Sequence, residues 1–581
     1  MIRWSARHLV FLLLFFSLPQ ILPAVNLNRI YPVDSDVYRA LEQMYIEQGY
    51  AIPSTSGPWS ADELLRMLNR LDQSQLSPEQ QSLADRVEAE LRRPLVAGEG
   101  ESVLFEFDLE VNLEAYIQAT DNDFFRTEER RHYDYTDRSY MINVPLEVWA
   151  ASPFYGYFEL GLLASRYDGY FSEPFVTNLV DQDTIGWQFP VRGFVVAGGD
   201  HWTLQFGRDQ ISWGPGRTGN LIISDNFDYH EFLRFATYHD RFKFSTMIST
   251  FSHPAWYYGT GDDDEIGDDE ILEKWYDPDP FIGRQDDERQ GFQAFIAHRL
   301  EFRPVDRFAV AISESMMYMG DDFDLRFLNP AMLYHNIYMR GNSKSLLGFD
   351  MEFGLAPGYN TFLSFVIDDS GLVDNPRAVG LLTGVRGSRM SGPGSLWFNL
   401  EGAYTDPYFY LRNPPEREQR VGPFPIDYTA SIYQFGHSFG PEQREGLLEV
   451  RRFLGYRYGN DVALLQAEAG YDVFGQWQAR AGIMGLFEGT MDMHSQWHPD
   501  GSSDLGPTSE HPPHDFDPGD PEARDAIQST LLLDAGGRYQ LTDWLSLFGH
   551  TAFQYTTNIR NRSDGGSGTS LQLSLGANLA F

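Results

Sequence analysis

The sequence predicts a mainly β fold: a transmembrane antiparallel β-barrel of about 16 to 18 strands with a small amino-terminal three-helix bundle. Three observations predict it. The chain opens on an export signal, alternates apolar and polar residues over strands longer than globular ones, and finishes on an amphipathic strand ending in phenylalanine.

Residues 1–24 place Arg3, Arg7 and His8 ahead of the apolar run Leu9 to Leu18 and reach Ala24, a small residue suited to cleavage. About ten apolar residues are too few to cross a bilayer core of ~30 Å as a helix, so this segment is expected to be a signal peptide. No later apolar stretch is long enough for a membrane helix, roughly 18 residues. Export then leaves a secreted protein or a barrel. With no cysteine in 581 residues, disulfide frameworks, thiol nucleophiles and cysteine-based zinc sites are excluded. The net charge of −39 makes nucleic acid a poor partner, because phosphate must be neutralised by clustered Lys and Arg. The 43 Phe, 31 Tyr and 12 Trp suit the aromatic girdles of a membrane barrel.

Residues 25–98 read as a helical periplasmic cap. Ser35 caps a helix with Val37, Leu41, Met44 and Tyr45 on one face, and Gly49 ends it. Ser60-Ala61-Asp62-Glu63 has the spacing of a capping box, followed by Leu64, Leu65, Met67, Leu68 and Leu71. Ser77-Pro78 opens a third helix with Leu83, Val87 and Leu91 at helical spacing.

After Gly98 the period changes to two. Val103, Phe105, Phe107, Leu109, Val111, Leu113, Ala115 and Ile117 fall on one face, and Glu106, Asp108, Glu110, Glu114 and Gln118 on the other. Such alternation suits a tilted strand with lipid outside and a wet lumen inside. It recurs from Phe154 to Ala164 and from Phe292 to Phe302, where Phe292, Ala294, Ile296, His298, Leu300 and Phe302 share a face. Further strands are expected at residues 307–316, 346–355, 361–367, 395–404, 447–458, 462–473, 476–487, 527–539 and 544–556, and the last runs from Leu571 to Phe581. The barrel is assigned residues 99–581, at roughly 27 to 30 residues per strand and connection, with long loops near 259–290 and 490–524. A β-propeller, the soluble competitor, requires a blade period that the chain lacks.

Four patterns could carry chemistry. Gly436-His437-Ser438-Phe439-Gly440 matches a nucleophile elbow, with His550 or the histidines at 494, 498, 511 and 514 as candidate bases, but the βαβ pattern behind such an elbow is missing. Asp262, Asp264, Gly267 and Glu273 fit positions 1, 3, 6 and 12 of an EF-hand frame, yet Ile266 fills position 5, where a ligand is needed. A looser Ca²⁺ site at Asp262, Asp264, Asp268 and Glu270 is the one cofactor candidate, against a solvated run of charge. His494, His498, His511 and His514 read as exposed loop histidines, because neighbouring prolines and glycine oppose the helix that would align them.

The fourth is Gly207 to Ser224, GRDQISWGPGRTGNLIIS. Pro215 and Gly216 suit the central positions of a type II turn, with positive φ at Gly216. Trp213 is either an interfacial belt residue, with Arg208 and Arg217 paired to lumen carboxylates such as Glu106 or Asp108, or a sugar-stacking ring beside guanidinium groups that grip acidic saccharide. The second alternative makes Arg208, Trp213, Arg217 and Asn220 candidate polysaccharide-binding residues.

This segment resembles the Wzi family of outer-membrane capsule-assembly proteins, and so, in the same order, do Gly291 to Pro304 (GFQAFIAHRLEFRP), Phe308 to Tyr318 and Leu346-Leu347-Gly348-Phe349-Asp350. The resemblance implies an outer-membrane barrel of about 18 strands behind a helical bundle, acting as a surface lectin that holds capsular or exported polysaccharide, without catalysis. Polysaccharide and membrane lipid are then the expected partners of a monomeric chain. Arg412, Arg417 and Arg420, or a bridging divalent cation, would offset its acidity toward a polyanion. An outer-membrane porin or substrate-specific channel is the first alternative, and an outer-membrane serine hydrolase using Ser438 the second.

Overall fold

A computed structural model describes residues 27–581 except 94–102, 123, 128–131, 133–138, 151–152, 165–183, 189–190, 252–291, 321–324, 330–331, 335–342, 370–376, 412–426, 439–444, 492 and 494–523. The expected signal peptide, the Ca²⁺ candidates Asp262, Asp264, Asp268 and Glu270, the loop histidines and Arg412, Arg417 and Arg420 lie outside the described residues.

Three helices form the cap: α1 (Asp36–Glu47), α2 (Ala61–Asn69) and α3 (Pro78–Leu91). Each starts at the serine its sequence offers. Ser35 accepts from Val37 N, Ser60 from Glu63 N and Ser77 from Gln80 N. Gly49 follows α1 with φ +70°, which glycine adopts without a Cβ penalty. The Leu83, Val87 and Leu91 stripe packs with Leu41, Tyr45, Leu64 and Leu68 in one buried cluster. The capping box expected at Ser60 forms only in part, because Glu63 bonds Lys243 Nζ of the barrel at 2.7 Å instead of its own N-cap. The reciprocal box is at Ser77 and Gln80.

Among the described residues, eighteen antiparallel strands close the barrel. Its seam joins Ser567–Ala580 to Glu110–Thr120, and Phe581 exchanges both backbone bonds with Leu109, at 2.9 and 3.1 Å. The expected alternation is present: Phe105 and Phe107 are 66% and 71% exposed on the outside, whereas Glu114 and Gln118, 3% and 7% exposed, face inward. This first strand is interrupted between Val103–Phe107 and Glu110–Thr120. Opposite the break stands Pro145, which accepts from Asp108 N but has no N–H to return.

Two further expectations change. Residues 447–458 are not a wall strand: Gly394–Thr405 pairs directly with Val462–Val473, and the chain between them leaves the wall as a hairpin of Thr429–Ser438 and Glu445–Phe453. On Phe292–Val305, Leu300 and Phe302 are exposed, but Ala294 and Ile296 of the same face are buried under Phe327 and Tyr334. Protein there covers what alternation alone assigns to lipid.

Short turns gather at one rim, as at 200–201, 306–307, 357–358 and 543–544. The helical cap sits on that rim. Ala51 N donates to Asp306 O at 2.8 Å, Gly358 N to Ile46 O at 2.8 Å and Arg86 Nη1 to Phe474 O at 3.0 Å.

Candidate functional site

The segment from Gln210 to Tyr229 leaves the wall after Trp202–Asp209 and folds into the lumen. There Ile211, Trp213, Leu221, Ile223 and Phe227 pack against inward-facing Phe295, Phe362, Leu382 and Leu486, and against Tyr410 and Tyr456 from the connection around the hairpin. The Tyr410 hydroxyl fixes this arrangement, donating to Leu221 O at 2.5 Å and accepting from Tyr456 N at 2.8 Å. The lumen therefore holds an apolar plug.

The plug also reaches the cap. Ser212 and Trp213 pair with Gly57 and Ser56 as a short antiparallel ladder, and Gly214 N donates to Thr55 O at 2.9 Å. Asn220 shapes the bend: its Oδ1 accepts from Gly216 N at 2.9 Å and its Nδ2 donates to Ser212 Oγ at 2.9 Å. The expected type II turn is absent. Positive φ falls on Gly214, at +140°, and Gly219, at +130°. The chain passes so close to Asn220 that a Cβ on Gly214 would sit 2.2 Å from Oδ1. Local turn chemistry is overridden by this side chain and by the ladder to the cap.

Charge holds the plug, cap and wall together. Glu401 on the wall accepts from Arg217 N at 2.9 Å and Thr218 N at 2.8 Å. The Arg217 side chain donates to Glu42 of α1 at 2.8 Å and lies 4.8 Å over the Trp397 ring. Glu42 also accepts from Arg386, whose other nitrogen holds Glu352 at 2.8 Å. Burial alone would raise the Glu42 carboxyl, but Arg217 and Arg386 outweigh it and hold the group below the usual carboxylate range. A second contact set centres on Glu301, which accepts from Thr55 N at 2.8 Å and Ser56 Oγ at 2.7 Å, with Arg299 3.4 Å away.

Between plug, cap and wall lies a cavity of about 660 Å³, bordered by Arg39, Arg217, Asn220, Trp397, Arg480 and Arg538 among others. Its walls also carry carboxylates, including Asp34, Glu468 and Asp472, so it combines guanidinium, carboxylate and aromatic surfaces suited to polar, hydroxyl-rich ligands.

The four sequence candidates are divided by this geometry. Arg217 and Asn220 border the cavity. Trp213, 2% exposed, is neither a membrane-belt residue nor free to stack on a sugar, since the apolar plug encloses it. Arg208 is on the outer face, paired with Glu231 across the strand and lying 3.8 Å over the Tyr229 ring. Neither arginine meets Glu106 or Asp108, and Glu106 instead accepts from Arg93 at 2.8 Å. The elbow pattern forms no elbow: Gly436, His437 and Ser438 are extended residues paired with Gly186, Ile185 and Thr184, and Gly436 and His437 also pair with Gly446 and Glu445, so there is no strand-to-helix turn at these residues. Glu42, Arg386 and Glu401 were missed. Nothing in spacing marks them, because their partners lie up to 344 residues away.

Residues 270–502 match the family model described as capsule assembly protein Wzi. A search of curated proteins gives no match. Among solved structures, Escherichia coli Wzi, described as an outer-membrane protein involved in group 1 capsule assembly and a carbohydrate-binding β-barrel, is similar at TM-score 0.53 and 13% identity, over 94% of this chain and 98% of that one. The outer-membrane channel DcaP of Acinetobacter baumannii gives TM-score 0.33 and 9% identity over 83% of this chain and 98% of that one. OprD of Pseudomonas aeruginosa gives 0.34 and 8% over 82% and 95%. By sequence, residues 270–502 are similar to the capsule assembly protein Wzi family, and over nearly its whole length the chain has the fold of a Wzi-like β-barrel.

Proposed function

We propose that this protein binds capsular or exported polysaccharide and holds it at the outer surface of the outer membrane, with the helical cap on the periplasmic side. The observation that carries the reading is the apolar plug: a water-filled channel needs a polar path through the barrel, and here Trp213, Leu221, Phe227, Phe295 and Leu486 form one buried apolar cluster inside it. The match to the capsule assembly family over residues 270–502 points the same way. Retention at a surface requires binding and no bond breaking, so the role is non-enzymatic.

Arg217 and Asn220 remain candidates for saccharide contact because they border the cavity. Trp213 supports them from behind, and Arg208 belongs to the outer wall. Purified barrel in a planar bilayer tests the reading against the channel alternative. The expected result is no large steady conductance together with retention of the barrel on immobilised capsular polysaccharide. Steady conductance without polysaccharide binding would overturn it.

A further inference from the structure

One cluster in the lumen is used by neither the plug nor the cap. Asp534 and His550 project inward from the adjacent strands Gln528–Thr542 and Leu545–Thr557, two residue pairs apart in register, and His132 from the connection after the first strand meets them. His132 Nε2 is 2.6 Å from His550 Nε2 and 3.9 Å from Asp534 Oδ2, and the three donor atoms lie within 4.8 Å of one another. The Asp534 side chain is only 4% exposed, yet its Oδ2 has no hydrogen-bond partner among the described residues. Arg480 Nη1 is 3.7 Å from that oxygen and makes its closer contact, 2.8 Å, to Glu468. A buried carboxylate oxygen left so is costly unless something else occupies its lone pairs.

The surrounding wall leaves room for an occupant. Gly482 stands opposite Asp534 and Gly536 opposite His550. A Cβ on Gly482 would come within 2.5 Å of Asp534 Oδ1, and one on Gly536 within 3.3 Å of the His550 ring. Side chains at these two lumen-facing positions would close the space that the two glycines keep open.

We propose that His132, His550 and Asp534 form a binding site for a divalent transition-metal ion, with Zn²⁺ the best match. Two imidazole nitrogens and one carboxylate oxygen are the donors Zn²⁺ prefers, whereas Ca²⁺ and Mg²⁺ favour all-oxygen sets. Donor nitrogens held at about 2.0–2.1 Å in tetrahedral geometry stand about 3.3 Å apart, so the two rings part by roughly 0.7 Å on binding. A bound ion also satisfies Asp534 Oδ2, while Arg480 stays on Glu468. Three protein ligands leave a fourth position for water or an anionic group, and His550 borders the cavity of about 660 Å³ from which either could arrive.

The test uses the full-length folded barrel in detergent, stripped with chelator and titrated with Zn²⁺ against a chromophoric competitor, then with Co²⁺ read by visible absorption. The expected result is one Zn²⁺ per chain and the intense d–d bands of a four- or five-coordinate Co²⁺ site. Asp534→Asn, His550→Gln and His132→Gln each weaken binding roughly tenfold or more, in samples whose heat-modifiable gel migration shows a folded barrel. His132→Gln alters no wall strand, so its effect does not depend on barrel assembly. A variant with His494, His498, His511 and His514 changed to Gln keeps the site. No stoichiometric Zn²⁺, binding unaffected by all three substitutions, or binding lost only in the loop-histidine variant overturns the proposal. The His132–His550 contact would then be a hydrogen bond between imidazoles and nothing more.

Discussion

The Arg217 guanidinium donates to the Glu42 carboxylate at 2.8 Å, joining the segment that folds into the lumen to the first helix of the cap. The Arg217 side chain is 24% exposed and that of Glu42 8%, so the pair is screened less than a surface ion pair. Arg217→Ala and Glu42→Gln should each loosen the cap, seen as faster hydrogen exchange of α1 amides. The double-mutant cycle should show a coupling of roughly 1 to 3 kcal/mol. Additive single effects would mean that the two residues act separately.

Trp213→Ala should destabilise the barrel without acting on the ligand directly. The indole is enclosed by the plug, and truncating a buried tryptophan costs about 3 to 5 kcal/mol. A lower thermal unfolding midpoint with unchanged polysaccharide affinity in the folded fraction is expected. Undiminished stability with lost affinity would show that the ring meets the sugar.

Gly214→Ala should be harmful out of proportion to its size. It places a Cβ 2.2 Å from Asn220 Oδ1 on a backbone with φ +140°, where L residues are strained. In the Asn220→Ala background the clash is relieved but the φ strain remains, so the loss of stability should shrink without vanishing. Unfolding midpoints of the two single variants and the double variant give the comparison.

Cap docking should depend on pH with a sign set by Glu42. Its folded pKa is depressed, so its contribution is complete above the ordinary carboxylate value of about 4.3 and is lost as pH falls through the lower folded value. Glu47 has the opposite sign, because burial raises its carboxyl, and acid relieves that penalty. The difference in α1 amide protection between the wild type and Glu42→Gln isolates the first effect. It should be constant from about pH 7 down to about pH 5 and shrink as pH falls further, below the ordinary carboxylate value of about 4.3.

The parts legible in the sequence are those whose signal is local. The Leu83, Val87 and Leu91 stripe, the serine caps and the face carrying Phe105 and Phe107 follow from periods of 3.6 and 2, and the structure has them. Alternation separates two faces of a strand but does not say which connection enters the lumen. Trp213 and Arg217 could therefore be marked as unusual without being placed. The cap contacts of Glu42, Glu63 and Glu301, and the meeting of His132 with His550, join residues more than a hundred positions apart. No spacing rule reaches them. The break opposite Pro145 is an intermediate case: its missing N–H is written in the sequence, but its partner Asp108 is known only from the register.

The central claim is that this barrel keeps polysaccharide on the cell. Deleting its gene in the producing strain, and measuring cell-attached against shed polysaccharide at equal total production, tests that claim most directly. The account predicts a shift from attached to shed polymer, reversed by the wild-type gene. Unchanged attachment in the deletion strain would contradict it.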